Sequence, residues 1–278
     1  MAILHFFGVV LSFVVHAYGS PVVNRQNGLF ITILSTSPYA LTVSNGQQAI
    51  ENTAILAGVT NTSATPITAT KNGALQDNHG QITTSIISDQ VAKVSIQTDY
   101  QFVGAQFASS ESSKIYGVWE YPWNEQLTNN GIAFELKGTG DSQGVNWDNA
   151  RAPFYFNNDG YGVYTDTLQM GSYDFTQPGS SQFIFNTSSL VYYIILPKSP
   201  GDMKSILTAY AELSNTIFMP PDSSYGPTVW SDDWTTDLFP GAQNSQQSYY
   251  DVVDHLYDYQ IHATAFFADR PYGKYWSI

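Results

Sequence analysis

Ten Lys and Arg residues stand against 23 Asp and Glu in this chain of 278 residues, a formal net charge of −13 at pH 7, and aromatic side chains make up 15% of it. That acidity repels nucleic acid and anionic lipid, whereas neutral sugars are indifferent to net charge and stack on aromatic faces, so polyanions are not expected partners. The chain has no cysteine, which excludes disulfides, thiolate catalysis and cysteine-bound zinc and leaves export open in a chain long enough to bury a core.

Residues 3–15 form a nearly uncharged apolar run, followed by Ala17 and Gly19 at a spacing that a signal peptidase accepts. Residues 1–20 therefore read as a secretory signal peptide, and the remainder is expected to be secreted, extracellular and free of the membrane after cleavage. The run is shorter than the roughly 20 residues that cross a bilayer. A buried N-terminal strand is the competing reading. None of the first twenty residues is Lys, Arg, Asp or Glu, so the whole net charge falls on residues 21–278. Asn61-Thr62-Ser63 and Asn186-Thr187-Ser188 match the N-glycosylation acceptor pattern, usable only on an exported chain.

From residue 29 to residue 196 short apolar or alternating runs are broken by Gly, Asn, Ser and Thr, the pattern of an all-β domain. Strands are expected at 29–34, 82–87, 91–98, 132–136, 162–166, 182–185 and 190–196. Residues 52–72, rich in Thr, Ala and Asn, fit either a strand with a loop or a surface excursion. Residues 149–175 read as a β-meander. A short aromatic run at 153–156 leads into Asn157-Asn158-Asp159-Gly160, which tolerates positive φ. A period-two strand and a second hairpin at Gly171 follow.

The pattern changes at Ser199, which reads as an N-cap with Pro200 at the first helical position. Met203, Ile206, Leu207, Tyr210 and Leu213 then form one apolar stripe at helical spacing. Pro220-Pro221 marks the expected boundary. Beyond it come a short strand at 228–230, a helix at 246–259 with Val252, Val253, Leu256 and Tyr257 inward, and a buried strand at 262–268. That order suits a βαβ unit, the building block of parallel sheets and (β/α)8 barrels. The expected divisions are a signal peptide at 1–20, a β-sandwich at 21–198, a linking helix and Pro-Pro segment at 199–221, and an incomplete barrel at 222–278.

Several of these segments carry a resemblance. Pro153-Phe154-Tyr155, a turn, then Gly160-Tyr161-Gly162-Val163-Tyr164 resembles the N-terminal β-sandwich of the family 31 glycoside hydrolases. Ile115-Tyr116-Gly117-Val118-Trp119-Glu120 is similar to that family's upstream Y-G-x-x-E segment. Residues 144–154 resemble the version in fungal α-xylosidase-like and α-glucosidase-like members. The last sandwich strand around Val191-Tyr192-Tyr193-Ile194-Ile195, the helix, the Pro-Pro segment and a Trp-bearing strand follow in the family's order. The ordered set is more specific than any single motif. It implies a mainly β chain, with a large antiparallel β-sandwich of the galactose-mutarotase-like kind, followed by the first βαβ portion of a truncated (β/α)8 barrel.

The resemblance implies exo-acting, retaining cleavage of α-linked xylose or glucose without cofactor or metal. That chemistry needs two carboxyl groups roughly 5 Å apart, one attacking the sugar and one protonating the leaving oxygen and then activating water. In the family both lie on later barrel strands, so no catalytic residue is assigned here. Trp230-Ser231-Asp232-Asp233 and Trp147-Asp148-Asn149 differ in position from the nucleophile's W-x-D-x-N setting, and their aspartates read as solvated loop carboxylates. Asp269 aligns with the first aspartate of the family's D-x-D-Y segment, which accepts hydrogen bonds from the terminal sugar. The departure is Asp269-Arg270-Pro271-Tyr272, which lacks the second aspartate and leaves an Asp269–Arg270 surface pair as the plainer reading. Trp230 is either a pocket wall or a core residue.

The histidines are isolated in sequence, and no P-loop, dinucleotide fingerprint or paired-histidine metal motif occurs. A reading from a different class is a non-catalytic carbohydrate-binding β-sandwich, with Trp119, Trp123, Trp147 and neighbouring tyrosines as a stacking platform.

Overall fold

The computed structural model describes residues 23–26, 28–119, 128–136, 151–215, 218–231 and 246–268. The chain divides into two compact units, Met1–Asn215 and Thr216–Ile278.

The first unit is an antiparallel β-sandwich. In chain order its strands are β1 (Val23–Gln26), β2 (Leu29–Thr36), β3 (Tyr39–Ser44), β4 (Ala49–Gly58), β5 (Thr65–Pro66), β6 (Gly80–Ile86), β7 (Val91–Thr98), β8 (Phe102–Ala108), β9 (Ile115–Trp119), β10 (Ala133–Leu136), β11 (Arg151–Asn157), β12 (Tyr161–Asp166), β13 (Gly171–Asp174), β14 (Ser180–Asn186) and β15 (Ser189–Ile195). A nine-stranded sheet runs β1-β2-β3-β4-β8-β14-β13-β10 with β5 paired to β4, and a six-stranded sheet runs β6-β7-β15-β12-β11-β9. Alternation decides which side chains enter the gap. In β7, Val94 and Ile96 are buried while Lys93, Ser95 and Gln97 point outward. Leu29, Ile31, Leu41 and Val43 from one sheet and Ile82, Val94, Val163 and Ile194 from the other share one core cluster. Each such side chain contributes about 1.5–3 kcal/mol on burial.

The strands expected from sequence are present within a few residues of their ends. Residues 52–72 resolve into the end of β4, a 3-10 turn at Asn61–Ser63 and β5. The aromatic segment departs from a meander. β11 and β12 form a hairpin in the six-stranded sheet, but β13 crosses over and pairs with β14 and β10 in the other. The crossing sets Tyr155 against Phe175 and Tyr173, with ring centroids 5.2 and 5.9 Å apart, so both aromatic faces are buried. Three neighbouring strands in one sheet would line those rings up along a single face. The turn itself is as expected: Asn157 Oδ1 accepts the Gly160 N–H at 3.2 Å, and Gly160 sits at φ +99°.

Helix α1 (Met203–Leu213) begins later than Ser199, with Asp202 as its cap accepting the Ser205 N–H at 3.2 Å. Gly201 lies at φ +82°, a left-handed conformation that cannot enter a helix, so residues 199–201 form a turn ahead of it. Ile206 and Ala209 pack on Val91, Phe154 and Ile195 outside the six-stranded sheet, and Tyr210 stacks on Phe154 at 4.0 Å. Leu207, read as part of the stripe, is 42% exposed at its edge.

Four fully buried tyrosines have hydroxyl partners. Tyr192 donates to Asn52 Oδ1 at 2.6 Å, and the Asn52 amide donates to the carbonyls of Ala54 and Gln106 beside the irregularity in the β4–β8 pairing. Tyr155 and Tyr161 share Ser181 Oγ at 2.7 and 3.3 Å, and Tyr173 pairs with Thr165 at 2.7 Å. Burial pushes the Tyr161 phenol up to about 12 and lifts those of Tyr155, Tyr173 and Tyr192 as well.

The second unit contains β16 (Thr228–Ser231), α2 (Gln246–Asp258) and β17 (Ala265–Ala268). β16 and β17 pair in parallel, with Thr228 opposite Ala265 and Ser231 opposite Ala268. Two expectations are corrected. Val252 and Leu256 are half-buried, but Val253 is 46% and Tyr257 85% exposed, so the inward face of α2 is narrower than its sequence stripe. β17 starts at Ala265 rather than residue 262, because Ile261 donates to Leu256 O and Thr264 to Pro227 O, committing residues 261–264 to the turn after α2. Residues 262–265 are exposed rather than buried.

Replacing Tyr192 with Phe leaves Asn52 Oδ1 buried without its donor and is expected to cost about 1–3 kcal/mol in urea unfolding, with the m-value unchanged. The phenols give a second outcome. Tyr161 titrates near 10 when unfolded and about 12 when folded, so the native state holds the extra proton between those values. Stability is therefore full below about pH 10 and falls as pH rises toward 12, which melting temperatures across that range will read.

Candidate functional site

Parallel pairing brings the carboxyl ends of β16 and β17 together at Ser231 and Ala268. Barrel enzymes place ligand-contacting groups at that end of their strands, because the loops leaving parallel strands converge there. Trp230 lies one residue before the end of β16, opposite Phe267, and its side chain lies outside the described residues. Asp269 immediately follows β17 and also lies outside them, as do Asp232, Asp233 and Arg270. The fold thus places the backbone positions leading into Asp269 and Asp232 on neighbouring strands.

The aromatic motif that carries the family resemblance is structural. Phe154, Tyr155 and Tyr161 are buried at 4%, 0% and 0% exposure, so they offer no face to a sugar. For the stacking-platform alternative, the Trp119 side chain and all of Trp123 and Trp147 lie outside the described residues. Tyr116, beside them in sequence, stacks on Phe156 at 5.5 Å and is half-buried.

Asn61 and Asn186 are both exposed. Phe102 pairs with Gly58 on one side and Asn186 on the other, so Asn186 and the turn three residues beyond Gly58 share one end of the nine-stranded sheet. The Asn61 turn is fixed by Thr60, whose Oγ1 accepts the Ser63 N–H at 3.1 Å while Ser63 Oγ accepts the Thr60 N–H at 2.8 Å.

Charged groups are sparse. No group of three or more His, Asp or Glu positioned for a metal ion occurs among the described residues. Among the described residues His79 Nδ1 lies 3.1 Å from the Asp99 carboxylate, both side chains exposed. Beside it Asp77 accepts the His79 N–H and the Tyr100 hydroxyl, which lower its carboxyl below the usual range. These contacts pin a surface turn. No helix among the described residues is long and apolar enough to cross a membrane.

No family model matches the chain. An α-xylosidase of Lactiplantibacillus pentosus is 28% identical over 207 residues, covering 72% of this chain and 24% of that protein. The chain therefore spans about a quarter of the length of that curated relative. Among solved structures, a family 31 sulfoquinovosidase from E. rectale in complex with an aza-sugar inhibitor has a TM-score of 0.60 at 12% identity, covering 88% of this chain and 40% of that one. A xylosidase from Aspergillus niger has a TM-score of 0.54 at 14% identity, covering 87% and 29%. A family 31 dextranase from Flavobacterium johnsoniae, complexed with isomaltotriose, has a TM-score of 0.50 at 15% identity, covering 88% and 32%. Identities this low speak for the fold alone, and the sequence match to the α-xylosidase stands beside it as a likeness. A mainly antiparallel sandwich, a docked helix and a parallel strand pair, in the order the motifs foretell, make this a glycoside hydrolase family 31-like chain.

Proposed function

We propose that this chain forms the sandwich and the opening barrel strands of a secreted, retaining α-glycosidase acting on α-xylosides or α-glucosides. The observation that carries this reading is the 28% identity with the L. pentosus α-xylosidase, sustained over 207 residues. In such a reaction one carboxylate displaces the leaving group and forms a glycosyl-enzyme. The second carboxyl donates its proton to the leaving oxygen and then takes one from the water that releases the sugar. No pair in these 278 residues is assigned to those roles. What the chain contributes is binding. Asp269 accepts hydrogen bonds from sugar hydroxyls at the end of β17, Trp230 walls the pocket beside it, and the sandwich supports the barrel. Residues 1–20 direct export, and Asn61 and Asn186 carry glycan at one end of the sandwich.

On aryl α-xylosides and α-glucosides the 278-residue chain is expected to show no turnover, because one carboxylate cannot both attack and protonate from opposite sides of a bond. Release of the phenol that a conduritol-type inactivator abolishes would refute this and turn attention to Asp232, Asp233 and Asp269. Xylose or glucose binding to the second unit is expected to weaken at least tenfold in Asp269→Asn, about 1.4 kcal/mol. Unchanged affinity would remove Asp269 from the pocket.

Export has its own measurement. From a eukaryotic secretory host the mature protein is expected to start about twenty residues in and to lose one glycan mass in each of Asn61→Gln and Asn186→Gln. An intact Met1 on secreted material would refute the signal peptide.

A further inference from the structure

Four Asn-Gly pairs occur in the sequence: Asn27-Gly28, Asn45-Gly46, Asn72-Gly73 and Asn130-Gly131. Such a pair is reactive because glycine has no Cβ to shield its backbone nitrogen, which then reaches the side-chain carbonyl carbon of the preceding asparagine. Asn27 lies outside the described residues, and the fold treats the other three differently.

Their glycines do not tell them apart. Gly46, Gly73 and Gly131 sit at φ +84°, +83° and +80°, and each N–H has an acceptor: Ser44 Oγ at 3.1 Å, Thr70 O at 2.9 Å and Phe175 O at 2.9 Å. The asparagine amides do. Asn45 Oδ1 accepts the N–H groups of Gln47 and Gln48 at 3.0 and 2.8 Å, and its Nδ2 donates to Pro197 O at 3.2 Å. Asn130 Oδ1 accepts the Ile115 N–H at 3.1 Å, and its Nδ2 donates to Ser113 O at 2.7 Å. Both side chains are half-buried, and turning either Cγ toward its glycine breaks these bonds. Asn72 is exposed in the turn that Gly73 N–H closes onto Thr70 O, and its side-chain amide bonds to none of the described residues. Only the Gly73 bond has to open there.

We propose that Asn72 is a self-modification site, which deamidates through a cyclic imide with Gly73 to give isoaspartate and aspartate. The Gly73 nitrogen, losing its proton to hydroxide, bonds to Asn72 Cγ, and the side-chain nitrogen leaves as ammonia. Water then opens the ring. Cleavage of the bond at Cγ yields aspartate, and cleavage at the former main-chain carbonyl yields isoaspartate, whose backbone runs through the side chain. Water enters, ammonia leaves, and nothing is oxidised or reduced. The product adds a negative charge to the net −13.

Isoaspartate also adds a methylene to the main chain at a place with no slack. A Cβ on Gly73 would stand 1.9 Å from Ile82 O, and Gly73 O accepts the Ile82 N–H at 2.8 Å, so the turn is seated against β6, the edge strand of the six-stranded sheet. Ile82 belongs to the core cluster. Deamidation of a surface residue thereby loosens the margin of the core, whatever reaction the protein performs.

The test is to hold the full 278-residue chain in mildly alkaline buffer and follow each pair by peptide mass spectrometry, with isoaspartate detected by methyl transfer from a protein-isoaspartate methyltransferase. In the folded protein Asn72 should convert at least about tenfold faster than Asn45 and Asn130, whereas in urea all three should convert at similar rates, because only the fold separates them. Asn72→Gln, which does not close the same ring, is the unconverted reference, and the Ile82 amide should exchange with deuterium faster in converted protein than in that variant. The proposal is overturned if Asn45 or Asn130 keeps pace with Asn72 in the folded state, or if folded Asn72 stays intact while the urea sample converts. Equal exchange at Ile82 in converted and reference protein would overturn the coupling to β6.

Discussion

The packing of two antiparallel sheets through an aromatic seam is the constraint on which the first unit rests. Phe107, Tyr173, Phe175, Phe183 and Phe185 come from one sheet or its margin, and Tyr155, Tyr161 and Tyr192 from the other, all essentially without solvent exposure. Large rings remove much apolar area from water, and edge-to-face contacts such as Phe183 with Tyr192 at 5.4 Å add specificity to that burial. Phenols bring a cost, because a buried hydroxyl without a partner loses its hydrogen bond to water. The sandwich meets it with small polar residues set opposite the rings: Ser181 between Tyr155 and Tyr161, Thr165 at Tyr173, Asn52 at Tyr192. Asn52 serves two needs, since the irregularity in β4 exposes carbonyls that its amide satisfies.

Seen from that seam, the margins of the sandwich differ from its middle. The outer face of the six-stranded sheet is apolar where Phe154, Ile195 and Val91 protrude, and α1 covers it with Ile206, Ala209 and the stacked ring of Tyr210. Close approach elsewhere depends on glycine. A Cβ on Gly104 would stand 2.0 Å from the Phe183 carbonyl oxygen, in the pairing that joins β8 to β14. At the β1 and β6 edges neither helix nor extra strand intervenes among the described residues, and a cleft beside Tyr39 lies there.

The two units stand differently toward function. In the sandwich the aromatic motif serves packing rather than chemistry, since Phe154, Tyr155 and Tyr161 are buried. Among its described residues the second unit holds a parallel strand pair and an α-helix, and exposed apolar side chains at Val253, Tyr257 and Ile261 border a groove along that helix. The structures that share this fold carry several different names. One fold therefore accompanies several specificities, and the fold by itself names no substrate.

Alternation with period two, the Asn-rich turn before Tyr161 and the change to helical spacing near residue 200 were legible in the sequence because each is local: the backbone and its near neighbours determine them. So was the parallel strand pair, since a strand, a helix and a strand at that spacing have few other ways to pack. Periodicity reports which residues share a face, but it does not say which sheet that face belongs to. That is why β13 was read with β11 and β12 although it pairs across the gap. Gly201 took a left-handed conformation and moved the helix cap from Ser199 to Asp202, a choice set by how the turn leaves β15. The exposure of Val253 and Tyr257 depended on what else packs on α2, which no stripe encodes. Which hydroxyl meets which acceptor was likewise decided by the tertiary structure: Asn52 and Tyr192, 140 residues apart, meet only because β4 and β15 lie in facing sheets, and hydrogen-bond satisfaction is a property of three-dimensional neighbours.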